Sequence, residues 1–187
     1  MNEPRAQVVP LRPGERVGRD AEFSAFMAQA EPALGRMAYL LTGDRHRAEE
    51  LVQQALVRTY VAWPRARDRD PLAYARRVLA NARIDTWRKH RREVLVDHED
   101  LPHGGHDGPG DHHADRDLLV RALTRLPERR RRVVVLRYLL DLGEREVAED
   151  LGISTGAVKS AASRGLAQLR GLMTEDDRST TGTEVPR

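Results

Sequence analysis

EREVAEDLGISTGAVKSAAS, residues Glu144–Ser163, is the stretch whose reading decides the fold. A small Ala148 is followed four residues later by Gly152 and six after that by Val158. Ala148 lets two helices approach closely, Gly152 takes a left-handed turn conformation that other residues resist, and Val158 closes a small core from the second helix. Val147, Leu151 and Ile153 supply further apolar contacts. The spacing predicts a helix-turn-helix, with helices over Glu144 to Leu151 and from Ser154 to about Leu172. Ser154 is a good N-cap. The second helix then presents Thr155, Gly156, Lys159, Ser160, Ser163 and Arg164 outward, in position to enter a major groove. A plain helical hairpin whose polar positions merely face solvent is the competing reading.

Upstream, Leu118, Leu119, Ala122, Leu123 and Leu126 keep helical spacing, and Pro127 opens a further helix through Val133, Val134, Leu136, Leu139 and Leu140. The run Arg129 to Arg132 on that helix suits phosphate contacts, although a solvated face explains an arginine run about as often. Lys159 and Arg164 are better placed for base edges or the adjacent backbone.

The N-terminal half is helical too. Ala21 to Leu41 carries Phe23, Phe26, Met27, Ala30, Leu34, Met37, Ala38 and Leu41 on one face, with Pro32 expected to kink or split the helix. After Thr42-Gly43-Asp44, Asp44 can cap a second helix whose apolar stripe runs Ala48, Leu51, Val52, Ala55, Leu56, Thr59, Tyr60 and Trp63. Pro64 is expected to end it and Arg65 to Asp70 to form an exposed loop. Pro71 then starts a third helix that runs to about Arg92. This third helix gathers Arg76, Arg77, Arg83, Arg88, Lys89, Arg91 and Arg92 around Tyr74 and Trp87. Cations hold phosphates and rings receive unstacked bases, so the mixture suits single-stranded or distorted nucleic acid, with the aromatic residues more often serving a core.

Composition narrows the classes further. The 187 residues fit two small units, and with 4% aromatic and 33% charged residues any core rests on Leu, Val and Ala. Net charge is only +3 while the pI is about 9.7, so local clustering of positive residues matters more than the total. The chain has no cysteine, which excludes disulfides, thiolate metal sites and cysteine nucleophiles. No apolar run approaches membrane-spanning length, and the first twenty residues lack the core of a signal peptide, so a cytoplasmic protein with no membrane partner is expected. No nucleophile elbow, phosphate-cradling glycine loop or HExxH pair occurs. The expectation is therefore no enzyme, no catalytic residue and no cofactor.

Five of the seven histidines, His98, His103, His106, His112 and His113, fall in a segment with Asp97, Asp100, Asp107 and Asp111. Histidine and carboxylate suit zinc or nickel, but a glycine-rich segment offers no ordered ligand frame, so a soluble spacer is expected and no metal site.

DRHRAEELVQQALVRTYVAW, then a short loop, then LAYARRVLANARIDTWRKHRR resembles conserved region 2 of the sigma-70 family of RNA polymerase sigma factors. LTRLPERRRRVVVLRYLLDLGEREVAEDLGISTGAVKSAASRGLAQLR resembles region 4. Both in this order, joined by a short linker without a region 3 domain, are similar to group IV, the extracytoplasmic-function (ECF) sigma factors, and to their actinobacterial SigE-like subfamily. The resemblance implies an all-α fold of two small helical domains: region 2 over 21–93, a His/Asp/Gly-rich flexible linker over 94–115, and region 4 over 116–173. A flexible extension over 1–20 and a disordered tail over 174–187 flank them.

The resemblance also implies partners and roles. Core RNA polymerase would be held at the clamp helices of its largest subunit and at its flap region, through Asp44, Glu50, Gln53, Gln54 and Arg58 on the region 2 side. The family usually carries an acidic residue where Gln54 stands. Promoter DNA would be the second partner. The loop from Pro64 to Pro71 would receive a flipped base of the minus-ten element, with Asn81, Arg83, Asp85, Arg88 and Lys89 along the non-template strand. Ser154, Thr155, Lys159, Ser160, Ser163 and Arg164 would read the minus-thirty-five element, and Ser163 stands where many relatives carry a larger residue. An anti-sigma factor is a further partner the resemblance admits. The rival from the residues alone is a conventional helix-turn-helix regulator that binds duplex operators without polymerase, and it would not need a basic third helix.

Overall fold

The structure is a computed structural model that describes residues 13–82 and 111–181, and among these every regular element is helical. In chain order they are α1 (Pro13–Thr42), α2 (Arg45–Val61), α3 (Trp63–Ala66), α4 (Pro71–Ala80), α5 (Asp111–Arg125), α6 (Glu128–Val134) with a π-helical turn (Val135–Leu139), α7 (Glu144–Leu151) and α8 (Thr155–Thr181).

In the first half α2 packs between α1 and α4. Its predicted stripe is the one that faces inward: Ala48, Leu51, Val52, Ala55, Leu56 and Thr59 are buried. On α1, Leu34, Met37, Ala38 and Leu41 are buried, but Met27 is 36% exposed. Asp44 caps α2 as expected, its carboxylate accepting from the Arg47 amide at 2.9 Å. Asp70 does the same for α4, accepting from Ala73 N at 2.8 Å, with Pro71 at the first helical position. The few aromatic residues are concentrated at one corner. Phe23 meets the rings of Tyr60 and Trp63 at 5.0 Å in edge-to-face geometry, and Phe26 lies 5.2 Å from Trp63.

Several boundaries differ from the sequence expectation. Helix α1 starts at Pro13, inside the stretch expected to be a flexible extension, and runs as one helix through Pro32. Its early turns are held by packing: Arg19 stacks 4.3 Å over the Tyr60 ring and donates to the Tyr60 carbonyl, while the Tyr60 hydroxyl donates to Asp20 at 2.6 Å. Helix α2 ends at Val61, just ahead of Pro64 as expected, but the start of the expected exposed loop is instead a short helix, α3, which contains Pro64 and buries Trp63 and Ala66. Helix α4 ends at Ala80, well short of Arg92, and residues 83–110 lie outside the described residues. Helix α5 begins at Asp111, within the stretch read as linker, and α8 continues to Thr181, through most of the segment read as a disordered tail.

In the second half, α6, α7 and α8 enclose Val133, Val134, Leu136, Val147 and Val158, each 1% exposed or less. The turn between α7 and α8 is the one predicted. Gly152 has φ 64° and ψ 37°, and the Gly152 and Ile153 amides both donate back to the Ala148 carbonyl. An added Cβ at Gly152 would meet nothing within 4 Å, so replacement carries a backbone cost alone. Gly152→Ala is therefore expected to lower stability by about 1–2 kcal/mol, and Gly152→Asn by less, in urea denaturation. Equal stability of all three chains would refute the left-handed turn. No local pattern signals the π-helical turn after α6, where Leu140 N donates to Val135 O at 3.0 Å.

The two halves are in contact. Helix α1 packs on α5 and α4 on α7. Gly43, φ 70°, lies so close to α5 that a Cβ there would stand 2.5 Å from the Thr124 methyl.

Candidate nucleic-acid interface

Helix α8 enters from Ser154, whose hydroxyl accepts from the Ala157 amide at 3.2 Å. Thr155, Gly156, Lys159, Ser160, Ser163 and Arg164 are all exposed, and their spacing by three and four places them on one face. Arg164 donates to the Ser160 hydroxyl at 2.9 Å, and Lys159 lies 3.5 Å from Glu144 with 66% of its side chain exposed. Such an exposed pair is weak and yields readily to a phosphate. The structure thus brings together all six residues expected to face a duplex.

The arginine run on α6 behaves differently from its reading as a phosphate contact. Arg131 is 3% exposed, Arg130 donates to Gln168 at 2.7 Å, and Arg132 is paired with Glu128 and donates to the Ala82 carbonyl at 2.7 Å. Three of the four guanidiniums are engaged within the protein, leaving Arg129 as the exposed one. Four successive helical positions point in four directions, so a run in sequence cannot form one cationic face.

On α2, Gln53, Gln54 and Arg58 are exposed, Asp44 is committed as the helix cap, and Glu50 lies 3.9 Å from His46 and 4.0 Å from Arg47. The same face carries two residues the sequence reading passed over. Val57 is 63% and Val61 73% exposed, one turn apart. Their signal was available: both are apolar yet lie off the buried stripe of α2.

Of the five residues expected along a single strand, Arg83, Asp85, Arg88 and Lys89 lie outside the described residues, and Asn81 alone has a place. It follows α4 and donates from its side-chain amide to Arg77 O at 2.9 Å and to Asp150 O of α7 at 2.6 Å. Beside it Arg76 donates to Asp150 and to Glu146, each at 2.6 Å, and Arg77 approaches Asp150 at 3.4 Å. Burial opposes the Arg76 charge, but hydrogen bonds and attraction from Asp150 and Glu146 outweigh it and raise its pKa above the ordinary arginine value.

Among the described residues no three His, Asp or Glu side chains converge as a metal site, and no helix is long and apolar enough to cross a membrane. His98, His103 and His106 lie outside the described residues.

Comparison with known proteins accounts for both halves. Residues 26–93 match the family described as Sigma-70 region 2, and residues 116–169 the one described as Sigma-70, region 4. The RNA polymerase sigma-E factor of Streptomyces coelicolor is 40% identical over 155 residues, spanning 82% of this chain and 87% of that protein. The sigma-E factor of Streptomyces avermitilis is 41% identical over 154 residues, spanning 82% and 86%. The sigma factor RpoE of Bartonella quintana, solved in complex with the anti-sigma factor NepR, shares the fold at a TM-score of 0.61 with 24% identity, covering 82% of this chain and 97% of that one. A conventional helix-turn-helix regulator would leave the region 2 match unexplained. The chain belongs to the sigma-70 family of RNA polymerase sigma factors, within its extracytoplasmic-function group.

Proposed function

We propose that this alternative sigma factor, which acts with RNA polymerase in promoter recognition, divides the task between its halves as follows. Helix α2 docks on the clamp helices of the polymerase through Gln53, Gln54 and Arg58, with Val57 and Val61 at the centre of the contact. The turn after α3 and the start of α4 receive an unstacked base of the minus-ten element, and Asn81, Arg83, Asp85, Arg88 and Lys89 follow the non-template strand. Helix α8 reads the minus-thirty-five element as duplex through Lys159, Ser160, Ser163 and Arg164, with Ser154 and Thr155 at its start. The chain itself performs no catalysis and works in the cytoplasm beside the polymerase.

The observation that carries this reading is the exposed polar face of α8, on a helix-turn-helix whose turn and cap are both formed. The docking half is tested by co-purification with core RNA polymerase, wild type against Gln53→Ala with Gln54→Ala, followed by runoff transcription on genomic fragments. A stable wild-type complex that starts at discrete sites, weakened in the variant, is expected. No association with core, together with tight salt-sensitive binding to duplex DNA alone, would overturn it.

The reading half makes a separate prediction. Within the holoenzyme, Arg164→Ala or Lys159→Ala is expected to weaken promoter binding by about 1–3 kcal/mol, a factor of roughly 5 to 150, where the side chain meets a base edge. A phosphate contact instead weakens all sequences alike and reduces the salt slope by about one. Unchanged affinity and slope in both variants would remove α8 from the interface.

A further inference from the structure

Helix α1 begins at Pro13, whereas the region 2 match begins at residue 26, so the first turns of the helix lie outside the part shared with the family. They are not an idle flank. Positions 19, 22, 23 and 26 follow the spacing that puts residues on one helix face, and each meets the end of α2 or the elements after it. Arg19 stacks 4.3 Å over the Tyr60 ring and donates to the Tyr60 carbonyl. Phe23 and Phe26 pack on Trp63 of α3. Arg67, the residue after α3, donates to Glu22 at 3.1 Å. Beside this face the Tyr60 hydroxyl donates to Asp20 at 2.6 Å.

Arg67 stands in the turn that leads to Asp70 and Pro71, the turn assigned above to an unstacked base. Three arginines, at 65, 67 and 69, lie on or beside this turn, and all are exposed. What holds them differs. Arg67 is shared between Glu22 and Asp68, whereas Arg65 and Arg69 form no ion pair with a described residue. The backbone is tied at both ends of the turn, Arg67 N donating to Trp63 O at 3.0 Å and Ala73 N to the Asp70 carboxylate at 2.8 Å. Between these ties, Glu22 anchors the turn from outside it. Arg67 and Glu22 are 47% and 54% exposed, and such a pair is worth at most about a factor of five in an equilibrium. Its value for stability is small. Its value for position is larger, because a turn holds a base only as well as its anchors hold the turn.

We propose that residues 19–23 of α1 form a brace that positions the α3–α4 turn for the minus-ten base. Glu22 and Arg67 are its positioning residues, and Arg65 and Arg69 are left to the phosphates of the strand. The inference deepens the minus-ten assignment given above and rests on it. Its consequence is that reading of the minus-ten element depends on a segment that precedes region 2, so chains with the same region 2 can differ in how strictly they read it.

The test uses holoenzyme assembled from the full chain and core RNA polymerase. The probe is a forked DNA taken from a promoter at which the wild type starts, duplex through the minus-thirty-five element and with the non-template strand single across the minus-ten element. Companion probes carry an abasic site in place of one minus-ten base at a time. The ratio of Kd for abasic and intact probes measures reading of the base, and the salt dependence of Kd measures phosphate contacts. Glu22→Ala and Arg67→Ala are each expected to lower the ratio at the read base by about two- to fivefold with the salt slope unchanged, and Glu22→Arg with Arg67→Glu to restore it. Arg65→Ala or Arg69→Ala should instead weaken intact and abasic probes alike and reduce the slope by about 0.7. All four side chains are exposed, so the Tm of the free chain should not move in the single variants, which separates position from stability. An unchanged ratio in both Glu22→Ala and Arg67→Ala, or an exchange that restores nothing, overturns the brace. So does a lowered salt slope in Arg67→Ala that Glu22→Ala lacks, because Arg67 is then a contact to the strand. A wild type that distinguishes no abasic position marks instead the failure of the minus-ten assignment, and the brace falls with it.

Discussion

A chain carrying Val57→Asp and Val61→Asp is expected to lose its stable complex with core RNA polymerase while keeping its fold. Val57 and Val61 are 63% and 73% exposed, so nothing in the free protein depends on them, and surface changes of this kind usually move stability by no more than about 0.5 kcal/mol. At an interface the account reverses. Burying each valine is worth about 1.5 kcal/mol at least, and losing both is a factor of roughly 150 in Kd. Two unpaired carboxylates in a contact that excludes water add a further desolvation cost of several kcal/mol. Exposed apolar side chains one turn apart, beside Gln53, Gln54 and Arg58, have the make-up of an interface centre with a polar rim. The measurement is a fluorescence titration of labelled chain with core polymerase, alongside thermal unfolding of the free chain. Wild-type affinity in the double variant would move the docking surface off this face of α2.

Trp63→Ala should have the largest effect on stability. The residue is 4% exposed and forms the middle of the aromatic corner with Phe23 and Phe26, in a chain that has only two tryptophans and two phenylalanines. Truncating a buried tryptophan costs about 3–5 kcal/mol, which in a domain of 60–100 residues lowers Tm by roughly 12 °C or more. Trp63→Phe should recover most of that. The indole Nε1 finds no hydrogen-bond partner among the described residues, so phenylalanine gives up ring contact but no hydrogen bond. The loss has a functional reach as well, because α3 carries the chain into the turn before Asp70 and Pro71, where α4 begins. Transcription from the alanine variant should therefore fall even below its melting temperature. A change in stability under 1 kcal/mol would mean the corner is not a structural centre.

The arginines show where sequence reading stopped. Ten of them, at positions 76, 77, 83, 88, 91, 92 and 129 to 132, favour nucleic acid when read from their clustering in sequence. The structure gives Arg76 to Glu146 and Asp150, Arg130 to Gln168, Arg132 to Glu128 and Ala82, and buries Arg131. A guanidinium's partner is set by which helices meet, across separations of 38 to 74 residues in the hydrogen bonds of Arg130 and Arg76, and no local pattern carries that information. The same holds for helix ends. Residues 13–20 and 174–181 look like polar flanks in sequence, yet the first is held by Tyr60, and Arg125 reaches from α5 to Glu175 and Asp176 on α8.

What the sequence determined by itself was local: the spacing of Ala148, Gly152 and Val158, the caps at Asp44 and Ser154, and the buried stripe of α2. Each of these depends on backbone geometry and helical period within a few residues, and the structure forms every one. Only the tertiary structure decided which charges are free and which are used, and that α7 lies against α4. Those outcomes depend on desolvation and pairing between residues far apart in the chain, where a buried carboxylate such as Asp150 is tolerable only because Arg76 is brought to it.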